Sequence, residues 1–302
     1  MTTLKRREFL QISAAVAAQG ILASSFARSG AEKKMRLGVI TSIKADADST
    51  IAHVRDLGVP TCQLGIQNYT SEMAASIRAA VAKYGIEPTA LVVLGPGGLD
   101  WNFYQGPLTN GLVPRGTRRA RINRLKAGSD FAVQAGIPAV HTHCGFIPEN
   151  PNDELYQETV VAIREVASYL KANGQTFLCE MGQETPVTLL RTIEDVGMDN
   201  VGVNLDTANL ILYGKANPVD ALDVIGKYVR GVHAKDGFYP TDPVELGREV
   251  PIGEGKVDFP RFIAGLKKLN YTGPITIERE ISGPKQVEDI KKSVKYLSSL
   301  IG

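Results

Sequence analysis

The chain has 302 residues, of which 43% are hydrophobic and 22% charged, so it can bury a large core and is neither disordered nor fibrous. A formal charge of +2, without a polybasic tract, argues against nucleic acid or an anionic membrane as a partner. The three cysteines, Cys62, Cys144 and Cys179, are too few and too scattered for a disulfide framework, and we expect buried thiols.

The first predicted element is an export signal over residues 1–30. A basic start, Lys5–Arg7, precedes the alanine-rich apolar stretch Ile12–Phe26, which ends in small residues. The adjacent arginines followed by Phe9 and Leu10 resemble the twin-arginine type. Because the apolar stretch is shorter than the roughly 20 residues of a membrane span, we expect a mature protein without a stable span, periplasmic or otherwise exported. A disordered or amphipathic basic N-terminus is the alternative.

From residue 35 to residue 302, short β-branched runs alternate with helix-period stretches, which predicts one domain. The predicted strands are Arg36–Ile43, Thr61–Gln67, Thr89–Leu94, Ala139–Cys144, Thr176–Glu180, Val201–Leu205, Val229–Ala234 and Pro274–Glu278. The predicted helices include Ser71–Tyr84, Arg118–Ala135, Glu154–Ala172, Phe259–Leu269 and Pro284–Leu300. Glycines suited to a helix C-terminus follow several of the helical stretches. We count eight strands and eight helices.

This alternation implies a parallel sheet, and eight units in this length favour a closed (β/α)₈ TIM barrel. A doubly wound open sheet is the competing fold, but no glycine-rich phosphate loop follows the first strand. Two connections are longer than the fold needs, Gly95–Pro114 and Asp236–Val257. Both follow strands, so we expect them at the C-terminal face of the barrel as lids or pocket walls.

Polar residues end the later strands. They are His141 and His143 on the fourth strand, Glu180 on the fifth, Asp206 on the sixth, His233 on the seventh and Glu278 on the eighth. Residues of the opposite parity, such as Phe177, Val203 and Val232, are apolar and suit packing against helices, so the polar side chains point into the barrel. Converging carboxylates repel each other unless a cation lies among them.

Three carboxylates and one imidazole suit one divalent ion, with Mn²⁺ as the first choice and Mg²⁺, Co²⁺ or Zn²⁺ as alternatives. The four predicted ligands are Glu180, Asp206, His233 and Glu278. Each residue alone has a plainer interpretation, as a salt-bridge partner or a structural histidine. Four such residues at the ends of four consecutive strands favour a metal site.

Four sequence segments carry a resemblance to a known family. They are Cys179–Thr185 (CEMGQET), Asn204–Asn209 (NLDTAN), Val232–Asp236 (VHAKD) and Ile277–Glu280 (IERE). Together they resemble the metal-site motifs of the sugar isomerase/epimerase superfamily of xylose-isomerase-like barrels, which includes ketose 3-epimerases and inosose dehydratases. The resemblance implies that the two glutamates both ligate the metal and exchange protons with the sugar, whereas the aspartate and the histidine are ligands only.

Two positions depart from the epimerases that this family includes. Those enzymes typically carry a substrate-contacting histidine three residues after the aspartate, where this chain has Asn209. An amide can bond a sugar hydroxyl but does not shuttle a proton near neutral pH. The arginine that they place six residues after the strand-seven histidine is also missing, since Tyr239 stands there. These departures put a ketose-epimerase identity in question and leave the predicted metal site intact.

The expected function is a divalent-metal-dependent isomerase or epimerase that acts on a sugar or sugar derivative through an enediolate intermediate. The alternative is a metal-dependent lyase or dehydratase that uses the same site for β-elimination from an oxidised sugar or glycoside. The predicted substrate-binding residues are His143, Asn209, Glu184, Lys235 and Trp101. A repair endonuclease and a non-catalytic carbohydrate-binding protein are less favoured. The oligomeric state is left open, with a homo-oligomer as one option.

Overall fold

The structure is a computed structural model that describes residues 34–302, so the predicted export signal lies outside the described residues. Within them lie the eight barrel strands β1 (Arg36–Ile43), β2 (Thr61–Ile66), β3 (Glu87–Val92), β4 (Ala139–His143), β5 (Thr176–Glu180), β6 (Val201–Asp206), β7 (Val229–Ala234) and β8 (Pro274–Ile277). They are parallel and close into a barrel in the order β1-β8-β7-β6-β5-β4-β3-β2. Closure confirms the predicted (β/α)₈ barrel over the open sheet.

A helix of eight or more residues follows each barrel strand. These helices are α1 (Ala47–Asp56), α2 (Ser71–Tyr84), α3 (Arg115–Ala135), α4 (Glu154–Ala172), α5 (Pro186–Val196), α6 (Pro218–Ile225), α7 (Phe259–Lys268) and α8 (Pro284–Ile301). Shorter turns of helix span Gly106–Thr109, Asn209–Leu212 and Gly226–Tyr228. Among the helices of residues 34–302, none combines the length and the apolarity that crossing a bilayer requires.

Local sequence explains where the helices begin and end. Helix α4 begins after Asp153, whose carboxylate accepts a hydrogen bond from the Leu155 amide at 2.8 Å. Helices α2 and α3 end at Gly85 and Gly136, which adopt φ values of 66° and 74°. Glycine reaches this left-handed region without a Cβ penalty, so these ends follow directly from the sequence.

Three element boundaries differ from the sequence prediction by more than one residue: the two ends of β3, which lies two residues earlier than predicted, and the start of α3. Strand β3 begins at Glu87, two residues early, because the Glu87 amide already donates to the Pro60 carbonyl at 2.9 Å while the following proline has no N–H. Helix α3 begins at Arg115, three residues early. The Arg118 amide bonds the Pro114 carbonyl at 3.0 Å, so the first turn forms despite a glycine within it.

The barrel wall separates two kinds of packing. Apolar side chains such as Phe177, Val203 and Val232 are fully buried in the core that joins the strands to the helices. The interior holds a small cluster of Ala90, Ala139 and Leu178 together with buried polar side chains. The alternation that was predicted for β5, β6 and β7 is therefore the one observed.

The two long loops meet across the C-terminal mouth of the barrel. The loop after β3 joins the loop after β7 through a bridge between Asn102 and Glu245, and the Phe103 amide donates to the Val244 carbonyl at 2.9 Å. Since β4, β5 and β6 lie between β3 and β7, the joined loops cover that side of the barrel mouth. The Phe103 ring also contacts Tyr213, which follows β6, with ring centroids 6.4 Å apart.

Candidate metal centre

Strand register brings the four predicted ligands to one level of the barrel. Glu180 pairs with Asn204 of β6, and Asp206 pairs with His233 of β7. The Glu278 amide donates to the Ala234 carbonyl at 3.0 Å, which extends the β7–β8 ladder by one residue. The ends of four neighbouring strands thus present their side chains together.

One ligand atom from each of these four side chains lies within 4.8 Å of the others. The Nδ1 atom of His233 lies 3.0 Å from Glu180 Oε1, 3.4 Å from Glu278 Oε2 and 3.7 Å from Asp206 Oδ2. Glu180, Asp206 and His233 are buried, while the Glu278 side chain is 13% exposed. The cluster is therefore closed on the barrel side and reachable beside Glu278.

The three carboxylates of the predicted ligands differ in the direction in which their pKa values shift. Burial raises the pKa of Asp206 to about 7, against the attraction of Lys235 and with further repulsion from the other two carboxylates. Burial also acts to raise the pKa of Glu180, but nearby histidines outweigh it and hold that pKa well below its usual range. For Glu278 too, burial acts to raise the pKa, but Lys235 and His233 outweigh it and hold that pKa well below its usual range. Three crowded carboxylates are a setting in which a divalent cation relieves repulsion.

One orphaned atom tests whether these residues fit a metal. The Oδ2 atom of Asp206 is buried and has no hydrogen-bond partner among the described residues. A buried carboxylate oxygen normally has a donor or a cation beside it. Since oxygen and imidazole donors converge at this point, the donor set fits Mn²⁺, Mg²⁺, Co²⁺ or Zn²⁺.

Gln63 of β2 fixes which ring nitrogen of His233 faces the cluster. His233 Nε2 lies 2.8 Å from Gln63 Oε1, and Gln63 Nε2 donates to Asn204 Oδ1 at 3.1 Å. A carbonyl oxygen only accepts, so Nε2 donates to Gln63. Nδ1 faces the carboxylates, which hold the pKa of His233 well above its usual range against the effect of burial, so Nδ1 is the nitrogen that would exchange its proton for a cation. Gly231 makes room for this pair, because a Cβ there would lie 2.5 Å from Asn204 Oδ1. Sequence reasoning missed both amides.

His141 and His143 of β4 both contact the Oε2 atom of Glu180. His141 Nε2 hydrogen-bonds Glu180 Oε2, and His143 Nε2 lies 3.2 Å from the same oxygen. His141 also forms a second possible metal-binding group with Glu180 and His233. Sequence reasoning selected His143 and passed over His141, although both share the inward parity of β4.

Asn209 and Lys235 also contact the predicted ligands. Asn209 Nδ2 is 3.4 Å from Glu180 Oε1, and Asn209 Oδ1 is 3.4 Å from Lys235 Nζ. Lys235 Nζ is in turn 3.5 Å from Glu278 Oε2 and 3.0 Å from Glu280 Oε2. The structure thus brings both predicted substrate-binding residues to the predicted ligands.

The other two predicted substrate-binding residues, Trp101 and Glu184, differ in exposure. The centroid of the Trp101 ring lies 4.9 Å from that of His143, and Trp101 is 40% exposed, so it lies at the surface beside His143. Glu184 is 1% exposed, burial raises its pKa to about 8, and neither of its carboxylate oxygens has a hydrogen-bond partner among residues 34–302. Glu184 is therefore not hydrogen-bonded to the predicted ligands. Tyr239, which stands where the epimerases of the resembled family carry an arginine, is 42% exposed.

Comparisons with known proteins agree with this architecture. A family model described as Xylose isomerase-like TIM barrel matches residues 51–300. A solved structure of a xylose isomerase domain protein from Planctomyces limnophilus is 35% identical, with a TM-score of 0.80 over 88% of this chain and 97% of that chain.

More distant solved structures share the fold. That of an L-ribulose 3-epimerase is 18% identical, with a TM-score of 0.69 over 88% of this chain and 94% of its own. A xylose isomerase-like TIM barrel protein from Mycobacterium smegmatis, in complex with magnesium, is 18% identical. Its TM-score is 0.63 over 88% of this chain and 98% of that chain. A curated relative, the uncharacterized protein MJ1311 of Methanocaldococcus jannaschii, is 25% identical over 199 residues, which are 61% of this chain and only 63% of that relative's length.

Proposed function

The chain belongs to the xylose isomerase-like TIM barrel family, and from that premise we propose that it is a divalent-metal-dependent isomerase or epimerase of a sugar or sugar derivative. The observation that carries the proposal is the convergence of Glu180, Asp206, His233 and Glu278 at the barrel mouth. A structural neighbour that is an L-ribulose 3-epimerase supports the sugar as substrate class.

These same four residues are the proposed ligands of one metal ion, with Mn²⁺ preferred. The neighbour in complex with magnesium supports a divalent ion in this fold. When bound, the ion supplies Lewis acidity, which acidifies a hydrogen on the carbon next to a carbonyl. Binding and proton transfer then fall to the side chains of the protein.

Glu180 and Glu278 are the proposed proton-exchanging groups. They stand on strands β5 and at the end of β8, with β6 and β7 between them, so they approach a substrate from different sides. Glu180 is held by His141, and Glu278 lies beside Lys235. One carboxylate removes the carbon-bound proton, which leaves an enediolate, and the other returns a proton at the opposite face or at the neighbouring carbon. The first outcome is epimerisation and the second is isomerisation.

Elimination is the alternative fate of the same enediolate. Asn209 stands near Glu180 and cannot return a proton, as a histidine could. If the substrate carries a leaving group next to the enediolate, loss of that group then competes with reprotonation. The proposed lyase or dehydratase activity would therefore use the same glutamates and metal and differ only in its product.

Hydrogen exchange tests the proposal. The Mn²⁺-loaded protein is incubated in D₂O with a panel of free sugars, keto sugars and glycosides, and the products are read by NMR. We expect deuterium at one carbon of the true substrate, together with an epimer, an isomer or an elimination product. Turnover of a substrate without exchange of any carbon-bound hydrogen would refute the enediolate step.

The Glu278→Gln variant is the matched test of the proton-exchanging role. At saturating metal we expect its exchange rate to fall by roughly 10²–10⁴-fold. Glu254→Gln is the control, because Glu254 is an exposed residue of the loop after β7 and should behave as the wild type. A sugar-binding protein without catalysis would keep its sugar affinity in both variants and show no exchange in either.

Export remains a proposal that rests on the sequence of residues 1–30. The adjacent Arg6 and Arg7 before an apolar stretch support a twin-arginine signal and a periplasmic location. Replacing both arginines with lysine should retain the protein in the cytoplasm, as measured by cell fractionation. Unchanged export of that variant would contradict the proposal.

A further inference from the structure

A buried lysine lies at the edge of the metal centre. Lys235 is 1% exposed, and its ammonium group reaches Glu280 at 3.0 Å and Glu278 at 3.5 Å. Taking a cation out of water is costly even when it is paired. The Glu280 side chain is 59% exposed, so an ion pair with it could form at the surface without burying the lysine. Burial of Lys235 beside Glu278 thus indicates a role beyond this ion pair.

Lys235 and Asn209 connect the two glutamates through one chain of polar contacts. The chain runs from Glu180 Oε1 to the Asn209 amide, from that amide to Lys235 Nζ, and on to Glu278 Oε2. Its three contacts measure 3.4, 3.4 and 3.5 Å, at the long end for hydrogen bonds. Such weak contacts are exchanged at small cost for shorter ones to the oxygens of a ligand.

Charge balance gives the lysine a specific task. The three carboxylates of the predicted ligands and one divalent cation would leave one net negative charge at the centre. Lys235 offsets this charge, while Glu280, its other partner, has a side chain that is 59% exposed and is screened by water. Among the described residues, no other lysine or arginine is ion-paired or hydrogen-bonded to the four predicted ligands. When a carbon-bound proton leaves, negative charge moves onto the substrate oxygens, and a fixed positive group in a water-poor site stabilises it strongly.

We propose that Lys235 is a catalytic residue that hydrogen-bonds the substrate oxygen on which the enediolate charge develops, so that the substrate is a sugar or sugar derivative with a keto group at that position. The inference rests on the proposed function and deepens it. The carbon–hydrogen bond breaks, its proton passes to a glutamate carboxylate, and its electron pair moves to form the enediolate with charge on the former carbonyl oxygen. Lys235 keeps its own protons throughout.

Binding of acetohydroxamate tests this role without turnover. Its two oxygens, on neighbouring carbon and nitrogen atoms, lie in one plane and imitate the two oxygens of a cis-enediolate. Affinity is measured by calorimetry on Mn²⁺-loaded wild type, Lys235→Met and Lys256→Met, with bound metal per chain determined for each. Lys256 lies on the same loop but is exposed, so its variant is the matched control. We expect Lys235→Met to bind about 10–100-fold more weakly than the other two at equal metal content.

A second variant covers the case in which Lys235→Met does not fold. Lys235→Gln keeps an N–H donor and removes the charge, and we expect a similar loss of affinity. Equal affinity of wild type and the Lys235 variants at equal metal content would overturn the inference, as would absence of binding to the loaded wild type. A purely structural role would lower the melting temperature or the metal content and leave the affinity of the loaded protein unchanged, which also overturns it. Hydrogen exchange in D₂O is measured separately from acetohydroxamate binding. A failure of this inference can therefore be distinguished from a failure of the proposed function.

Discussion

At the scale of single residues, the proposed metal centre depends on groups that would not themselves touch the ion. Gln63 accepts from His233 Nε2 at 2.8 Å and is in turn anchored to Asn204. Partners of this kind orient a ligating imidazole and set its tautomer. The centre is therefore built from both the predicted ligands and a buried amide on the far side of the barrel.

The first prediction concerns this amide. Gln63→Leu removes the acceptor for Nε2–H, so His233 can turn or adopt the wrong tautomer. We expect Mn²⁺ affinity to fall by about 10–100-fold, as measured by competition with a chelator. Gln67→Leu makes the same change at an exposed position after the same strand and should leave affinity unchanged. If both variants bind Mn²⁺ as tightly as the wild type does, Gln63 has no orienting role.

The residues that sequence reasoning found and missed differ in a physical way. The predicted ligands stand at strand ends, where inward parity, chain order and the resemblance to known metal-site motifs together select them. Gln63 and Asn204 lie within strands and are 141 residues apart, so their contact depends on the register and closure of the whole barrel. Burial of Lys235 likewise depends on Glu278, just after β8, and on Asn209, in the helical turn after β6. Such long-range contacts have no local sequence signal.

At the scale of elements, the loop after β7 is organised by one buried carboxylate. Asp236 accepts hydrogen bonds from the amides of Gly237, Gly253, Gly255 and Val257, at 2.8–3.0 Å. Gly255 is required by this close approach, because a Cβ there would lie 2.1 Å from Asp236 Oδ1. The loop that roofs the barrel mouth is thus fixed to the end of β7.

The second prediction follows from that arrangement. Asp236→Asn replaces an accepting oxygen with a donor that faces backbone N–H groups, so it should lower the free energy of unfolding by roughly 1–3 kcal/mol. Urea unfolding measures the change. Asp242→Asn is the control on the same loop, because an asparagine can keep its two contacts to the Val244 and Glu245 amides. Equal stability of the wild type and the Asp236 variant would contradict the account of the loop.

The third prediction concerns helices α3 and α4, which are joined through Glu158. Hydrogen bonds from Arg115 and Arg118 lower the pKa of Glu158 to about 2 from an ordinary value of 4.5. A carboxylate whose pKa is lowered on folding contributes stability above its ordinary pKa and loses it as the pH falls toward the folded value. Glu158→Gln should therefore be less stable than the wild type at about pH 7, and this difference should shrink by about pH 3.

Urea unfolding at the two pH values measures this difference. The control is Glu154→Gln, since the Glu154 side chain is 86% exposed and, among residues 34–302, forms an ion pair only with Arg115, and we expect little change at either pH. A difference between wild type and Glu158→Gln that stays constant from neutral to acid pH would show that the carboxylate charge plays no part.

At the scale of the whole molecule, the barrel and the metal centre are predicted to stabilise each other. The ligands come from β5, β6, β7 and β8, so the centre exists only when half of the barrel is assembled. Regular alternation along the chain predicted the barrel, and its length predicted closure. The pairing of β1 with β8, which closes the ring, joins residues at opposite ends of the domain and has no local signal in the sequence.

The fourth prediction is that metal removal lowers the stability of the whole chain. A ligand present at about 100 times its dissociation constant stabilises the folded state by roughly 2.7 kcal/mol. We therefore expect EDTA to lower the melting temperature of the wild type, and Mn²⁺ to restore it. In the double variant Glu180→Gln, Asp206→Asn, neither addition should shift the melting temperature. A shift of the same size in that variant would place the metal elsewhere.

The central claim is that one divalent ion binds between Glu180, Asp206, His233 and Glu278. Anomalous scattering from crystals of the Mn²⁺-loaded protein tests it most directly. The prediction is one strong peak about 2.0–2.4 Å from Nδ1 of His233 and from an oxygen of each carboxylate. A peak ligated by other residues, or no peak at this position in the loaded protein, would contradict the claim.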